Sequence, residues 1–173
     1  MTSIDPDVGD LVERFGLTPL PVEGGLFCQT YRSDILIDAG ASSNGPGDRR
    51  ALATAILFLL TPGEDGFSAM HRLSADEIYH FYLGDAVDML LLGPGKEVRQ
   101  LTLGQDVLHG EEVQVVVARG VWQGCRLREG GHFALLGTTM APGYDPADFE
   151  LGLRGELMSL YPGVSEEILR LTR

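Results

Sequence analysis

The chain is almost without lysine. Of its 13 basic residues only Lys96 is one, and it sits in the turn "GPGKE", where nothing would desolvate an amine into a nucleophile. Schiff-base chemistry is therefore not expected. Basic clusters are equally scarce, none being longer than the pair Arg49-Arg50, and a net charge of −12 repels phosphate backbones, so no nucleic-acid partner is expected. The two cysteines, Cys28 and Cys125, lie far apart and no C-x-x-C pair occurs, which leaves no disulfide framework, zinc knuckle or redox motif. A nucleophile elbow is missing too: "GFSAM" ends in methionine where that motif needs glycine, and it leads into a strand, so Ser68 is a poor nucleophile. H-E-x-x-H, phosphate-loop and dinucleotide fingerprints are absent. The longest apolar run, "ALATAILFLL", is too short to span a bilayer, and no membrane partner is expected. The opening "MTSIDPDVGDLVERFG" is acidic, without a basic start or an apolar block, which reads as a cytoplasmic protein.

What is present is strand. At 173 residues, 44% hydrophobic and 22% charged, the chain can bury a core without disulfides or metal. Val8, Leu11, Val12 and Phe15 recur at helical spacing, with Asp5-Pro6 as a start and Gly16 as a stop, which gives a short amphipathic helix over 7–16. The period then changes. Between 26 and 140, nine segments rich in strand formers follow one another: "LFCQTYRSDILI", "ALATAILFLL", "GFSAMHRL", "DEIYHFYL", "VDMLLL", "EVRQLTL", "VQVVVA", "WQGCRL" and "FALLGTTM". Tight turn chemistry separates most of them, and "IDAGASSNGPGDRR" is the one long loop of small residues, so the pattern is an antiparallel all-β sandwich or barrel in place of alternating β and α. "APGYDPADFELG" reads as irregular, its acids Asp145, Asp148 and Glu150 without an assigned role. "SEEILRLTR", within 164–173, reads as a C-terminal helix capped by Ser165.

The chemistry concentrates in "SAMHRLSADEIYHFYLGD". If "DEIYHFYL" is an unbroken strand, Glu77, Tyr79, Phe81 and Leu83 share one face, and Ile78, His80 and Tyr82 the other. A carboxylate among aromatics needs a partner, and His71, on the preceding strand, is the obvious one. His80 faces away from Glu77 and reads as a packing or contact residue. His109 and His132 sit in turns and read as solvated, and Trp122 as a structural anchor.

These residues resemble the cupin superfamily. His71, Glu77 and Gly84 follow the order of its first motif, with Leu73 in place of a second histidine and the opening glycine one residue off register at Gly66. "ARGVWQ" is similar to its second motif, retaining Gly120, with Ala118 at the proline and Gln123 at the histidine. "EGGLFCQTYRS", "HRLSADEIYHFYLGD", "QVVVARGVWQ" and "APGYDPADFELG" together look like one cupin group designated a domain of unknown function.

The resemblance implies a double-stranded β-helix (jelly-roll) barrel, usually dimeric, with a pocket in the barrel mouth. It also implies that His71, Glu77 and Gln123 converge inside. Strand parity then adds Tyr79 and Phe81 beside Glu77, and Cys125 beside Gln123. Cupins that bind metal present three histidines and a glutamate. Here an amide and a leucine stand at two of those places, so no tight metal is expected, and any divalent ion would be held loosely by His71, Glu77 and Gln123, or by His80 if a bulge between 77 and 80 turned it inward.

The expected function is a pocket for a polar small molecule, as in a metal-free isomerase or epimerase acting on a sugar-like or sugar-nucleotide substrate. In it His71 is the general base, Glu77 orients it, Tyr79 is the acid, and Gln123, Phe81 and Cys125 contact substrate. The alternatives are a metal-dependent cupin of dioxygenase or isomerase type, and a non-catalytic metabolite-binding module. The two apolar faces of "ALATAILFLL" suggest that a second subunit covers one of them, giving a homodimer.

Overall fold

The computed structural model describes residues 7–38 and 49–173. The Asp5-Pro6 start signal and most of the 37–50 loop lie outside the described residues. Helix α1 (Val8–Phe15) forms where the apolar spacing places it, and Gly16 ends it in the left-handed conformation, its N–H donating to the Val12 carbonyl. Thirteen strands follow: β1 (Thr18–Pro19), β2 (Leu26–Arg32), β3 (Leu36–Asp38), β4 (Arg49–Ala51), β5 (Thr54–Leu60), β6 (Ser68–Arg72), β7 (Glu77–Gly84), β8 (Val87–Leu92), β9 (Val98–Leu103), β10 (Gln114–Val117), β11 (Trp122–Leu127), β12 (Ala134–Met140) and β13 (Glu150–Leu151). Helices α2 (Arg154–Leu160) and α3 (Ser165–Arg170) close the chain.

The strands form a six-stranded sheet in the order β1-β2-β5-β12-β7-β10 and a five-stranded sheet in the order β13-β6-β11-β8-β9, with β3 and β4 paired apart. Every strand pair is antiparallel. The two large sheets face one another as a jelly-roll barrel, and their inward residues stack in three layers that the ladder registers define. Phe58, Leu136 and Phe81, facing Leu127 and Val87, form the closed end. Ile56, Thr138 and Tyr79, facing Ser68 and Cys125, form the middle. Thr54, Met140 and Glu77, facing His71 and Gln123, form the mouth.

Each sheet is covered outside by helix. Leu11 of α1 packs on Leu59 and Leu135 of the six-stranded sheet and on Phe133 just before β12, with Leu57 half-buried beside them. The apolar outer face of β5 at Leu57 and Leu59 is therefore covered from within the chain, and needs no second subunit. Leu157 of α2 and Ile168 of α3 pack on Met70, Leu90, Leu92 and Trp122 of the five-stranded sheet.

The structure departs from the sequence reading at three places. The segment 26–37 breaks in two because the Ser33 hydroxyl accepts from the Ile35 N–H at 3.1 Å and turns the chain. The C-terminal segment holds two helices where one was expected. Pro162-Gly163-Val164 winds as a 3-10 turn straight into α3, so Val164 takes the cap position and Ser165 bonds back to the Pro162 carbonyl. The "irregular" stretch contains β13, which pairs Glu150 with Arg72 and Leu151 with His71.

Candidate functional site

Three features of the backbone bring side chains to the barrel mouth. Parity on β7 turns Glu77, Tyr79 and Phe81 inward, all buried, while His80 and Tyr82 lie outside. On β6, Gln123 pairs with His71 but Cys125 pairs with Ser68, so an extra residue bulges between them and both Ser68 and His71 point inward. The third is the turn before β2. The Glu23 N–H donates to the Pro21 carbonyl at 2.8 Å across Val22, whose φ is 71°. That is a γ-turn of the strained hand, centred on a β-branched residue. Gly24 and Gly25 follow at positive φ, and a Cβ on Gly24 would stand 2.4 Å from the Phe67 carbonyl oxygen. The strained turn carries Glu23 into the pocket, where its Oε1 accepts from Ser68 Oγ at 2.7 Å.

At the centre lies one buried array. Gln123 Nε2 donates to Glu77 Oε2 at 2.7 Å and lies 3.2 Å from His71 Nε2. His71 Nδ1 lies 2.8 Å from the Ala69 carbonyl oxygen, so Nδ1 carries the proton and Nε2 offers the lone pair that accepts from the amide. Both imidazole nitrogens are thus engaged, and the ring is stacked on Phe149 at 5.1 Å. His71 Nε2 and Glu77 Oε2 are 4.0 Å apart, with the amide bridging them. Gln123 Oε1 is buried without a hydrogen-bond partner. Burial raises the Glu77 carboxyl above its ordinary range. His71 works against that shift, the Glu23 charge adds to it, and hydrogen bonds from Thr138 and Gln123 oppose it.

The open pocket in front of this array measures about 80 Å³ and is lined by Glu23, His71, Glu77, Thr54, Thr138 and Tyr144, walled by Phe27, Phe149 and aliphatic side chains. Among the described residues no arginine or lysine belongs to the lining. Tyr144 is raised above the ordinary phenol range by burial first, then by Glu23 and Glu77.

The structure brings His71, Glu77 and Gln123 together and separates the other expected site residues from them. Tyr79, Phe81 and Cys125 share the inward face but lie deeper, in the packed core. The Tyr79 hydroxyl is held well above the ordinary phenol range by burial, then by the Glu77 charge, so it is a poor acid for a ligand in the mouth. Burial likewise pushes the Cys125 thiol far up. His80 does not turn inward. The β7–β12 ladder is in register from Glu77 to Phe81 and shifts only at Leu135/Leu136, and the His80 ring lies outside, 3.3 Å from Thr139 Oγ1.

Glu23, Ser68, Thr54, Thr138, Tyr144 and Phe149 were missed. Only "EGG" held a signal, since two glycines after an acid mark a tight turn. Of the unassigned acids, Asp148 pairs with Arg50, Glu150 binds Arg72 through both carboxylate oxygens at 2.8 Å, and Asp145 caps a turn by accepting from the Ala147 N–H. Trp122 lies outside the barrel, under the Arg72 guanidinium at 4.5 Å.

As placed, the donors do not make a metal first shell. Gln123 shows its NH2 group to His71 and Glu77, and an N–H cannot ligate. Among the described residues no group of three or more His, Cys, Asp or Glu side chains is placed to hold one. No helix among them is long and apolar enough to cross a membrane.

An antiparallel jelly roll whose polar side chains gather at one mouth is the architecture of cupins. Residues 9–152 match the family described as Cupin superfamily (DUF985), and the chain belongs to it. It is 30% identical over 142 residues to the uncharacterized protein YML079W of Saccharomyces cerevisiae, covering 78% of this chain and 69% of that one. Protein SO0799 from Shewanella oneidensis superposes with a TM-score of 0.83 at 31% identity, over 98% of this chain and 99% of that one. A hypothetical protein from Leishmania major does so at 0.84 and 28%, over 96% and 99%.

Proposed function

We propose that the barrel mouth binds the polar end of a neutral, sugar-like small molecule and moves a proton on it without a resident metal, as an isomerase or epimerase does. The observation that carries this is the buried Glu77 carboxyl, raised above its ordinary range and bonded to Gln123, in a pocket lined by no arginine or lysine among the described residues. A carboxylate made more basic by burial is suited to take a proton from the carbon next to a carbonyl. The C–H bond breaks, the carboxylate becomes the acid, and an enediolate forms. Return of the proton by Glu77 to the neighbouring carbon, as a hydroxyl proton passes between the two ligand oxygens through a lining hydroxyl, gives isomerisation; epimerisation needs delivery to the opposite face of the same carbon by a second acid, for which the Tyr144 hydroxyl is the candidate in the lining. Thr54, Thr138 and Tyr144 are the lining hydroxyls that can bond the ligand's oxygens. His71, with both nitrogens engaged, holds Gln123 and so positions Glu77. The base role thus moves from His71 to Glu77.

The pocket volume limits the ligand. A space of about 80 Å³ lies well below the roughly 300–1,000 Å³ of sites that enclose a whole drug-sized molecule, so only the reacting end enters. A pyrophosphate inside the mouth would meet two carboxylates and no guanidinium, which favours simple sugars and polyol carbonyls over sugar nucleotides.

The test is incubation in deuterated water with a panel of aldoses, ketoses and sugar nucleotides, following deuterium at the carbon beside the carbonyl by NMR. The wild-type chain is expected to exchange at least one simple sugar, and Glu77→Gln to bind it while losing exchange. Saturable binding without exchange in both forms would replace catalysis with a carrier or sensor. Stoichiometric metal in protein purified without chelator would replace the metal-free reading.

We also propose that the chain forms a homodimer. Tyr82 and Val116, on the outer face of β7 and β10 beyond the reach of α1, are 45% and 55% exposed and offer an apolar contact. A monomeric mass at micromolar concentration would remove it.

A further inference from the structure

A chain of net charge −12 nevertheless gathers four of its arginines along one groove. The groove runs beside α3 as two hollows of about 380 and 700 Å³, and Arg126 and Arg170 line both. Arg154 and Arg173 line the larger one. Most acids on these walls are already engaged. Asp88 accepts from Arg128 at 2.8 Å, Glu167 from Gln100 at 3.0 Å, and Asp65 from Arg173 at 2.5 Å. Glu64 has no such partner among the described residues, and Glu167, bonded only to a neutral amide, keeps its charge. Arg154 spends Nε and one terminal nitrogen on Thr172. Arg126 and Arg170 have no hydrogen-bond or ion-pair partner among the described residues. Each guanidinium carries five N–H donors in a planar fork, so two unpartnered forks of like charge line the same hollow.

We propose that this groove is a second binding site, separate from the barrel mouth, for a phosphate-type oxyanion, either a phosphate ester or a pyrophosphate. Arg126 and Arg170 are its primary contacts, each able to grip two oxygens, with the free terminal nitrogen of Arg154 at the flank. A tetrahedral phosphate has oxygens enough for both forks and charge enough to offset both, which a single carboxylate has not. The chain's overall charge repels anions at long range. The larger hollow sets four arginines against Glu64 and Asp65, and within a screening length of about 8 Å that local surplus acts on a bound anion. The two sites therefore select opposite chemistry, since among the described residues the mouth has acids and no arginine or lysine while the larger hollow has twice as many arginines as acids.

The test is calorimetric titration of the full chain at low ionic strength with inorganic phosphate, pyrophosphate and ADP. One comparison is the double variant Arg126→Gln/Arg170→Gln. The other is a charge-matched control, Arg14→Gln/Arg119→Gln, at exposed arginines elsewhere. Wild type and control are expected to bind pyrophosphate saturably at one per chain, and the double variant at least about tenfold more weakly. Arg126→Lys/Arg170→Lys, which keeps the charge and loses the forks, should fall between. ADP competing with pyrophosphate identifies a phosphate-ester site, and ADP failing where pyrophosphate binds restricts it to the inorganic anion. Binding that does not saturate, or that falls equally in the control, overturns the proposal. Both exposed positions should leave the melting temperature unchanged, which separates lost binding from lost fold.

Discussion

The two ends of the barrel are built on the same strands and do opposite things. Along β7 the inward face runs Phe81, Tyr79, Glu77; along β11, Leu127, Cys125, Gln123; along β5, Phe58, Ile56, Thr54. Each strand changes from apolar to polar over two steps of its pleat. At the closed end the side chains interdigitate and are stabilised by burial. At the mouth the groups are equally buried, His71 and Gln123 at 1% and Glu77 at 7%, yet they depend on one another's hydrogen bonds. The closed end supplies stability that the mouth spends on holding a carboxyl away from water.

Cutting into the closed end should therefore cost most. Phe58→Ala removes a fully buried ring from the layer of Leu136 and Phe81 and is expected to lower stability by about 3–5 kcal/mol. Urea denaturation measures it, and a loss below about 1 kcal/mol would mean that the two ends are not energetically distinct. Next comes the mouth. Gln123→Leu keeps bulk but removes the donor bridging Glu77 and His71, for an expected loss of about 1–3 kcal/mol near neutral pH.

That second loss should depend on pH. The Glu77 carboxyl is raised in the folded chain, so its contribution to stability is complete below its unfolded pKa and is lost as pH rises through the folded one. Gln123 opposes that rise by bonding the ionised form. Without it the carboxyl rises further, so the gap between variant and wild type should be small under acid conditions and widen towards neutrality. Denaturant midpoints across that range decide it. A gap constant with pH would show that Gln123 acts by packing alone.

Strand periodicity made one half of this contrast legible. Alternation on β7 placed Glu77, Tyr79 and Phe81 on one face and His80 on the other, where the structure has them. Depth was not legible, because a period of two assigns a side and says nothing of distance from the mouth, which is why Tyr79, Phe81 and Cys125 were expected beside the ligand and lie in the core. Ser68 was hidden by a bulge, since parity alone sets it opposite His71. Glu23 was hidden by a turn that a β-branched residue ordinarily avoids. Helix α2 carries Gly155 in its first turn and was passed over, although its buried Leu157 packs against the five-stranded sheet.

The smallest expected effect lies where the mouth meets the arginine groove. Arg173 donates to Asp65 and, at 3.3 Å, to the Glu23 carbonyl, and its guanidinium stacks 4.9 Å above Phe67. The C-terminal residue thus braces the strained turn that carries Glu23. Asp65 is largely exposed, so the ion pair is worth about 0.2–1 kcal/mol, and Arg173→Ala should lower global stability by no more than that. The local effect should be larger. With one contact to its carbonyl gone, the turn at Val22 keeps the Ala69 N–H bond to the same oxygen at 2.9 Å and loses its brace on the groove side. Amide hydrogen exchange should accelerate at Glu23, Gly24 and Gly25 and stay unchanged at Phe58 and Leu136. Equal exchange at both ends would show that the glycines and the Ala69 bond hold the turn unaided, and that the groove and the mouth are mechanically independent.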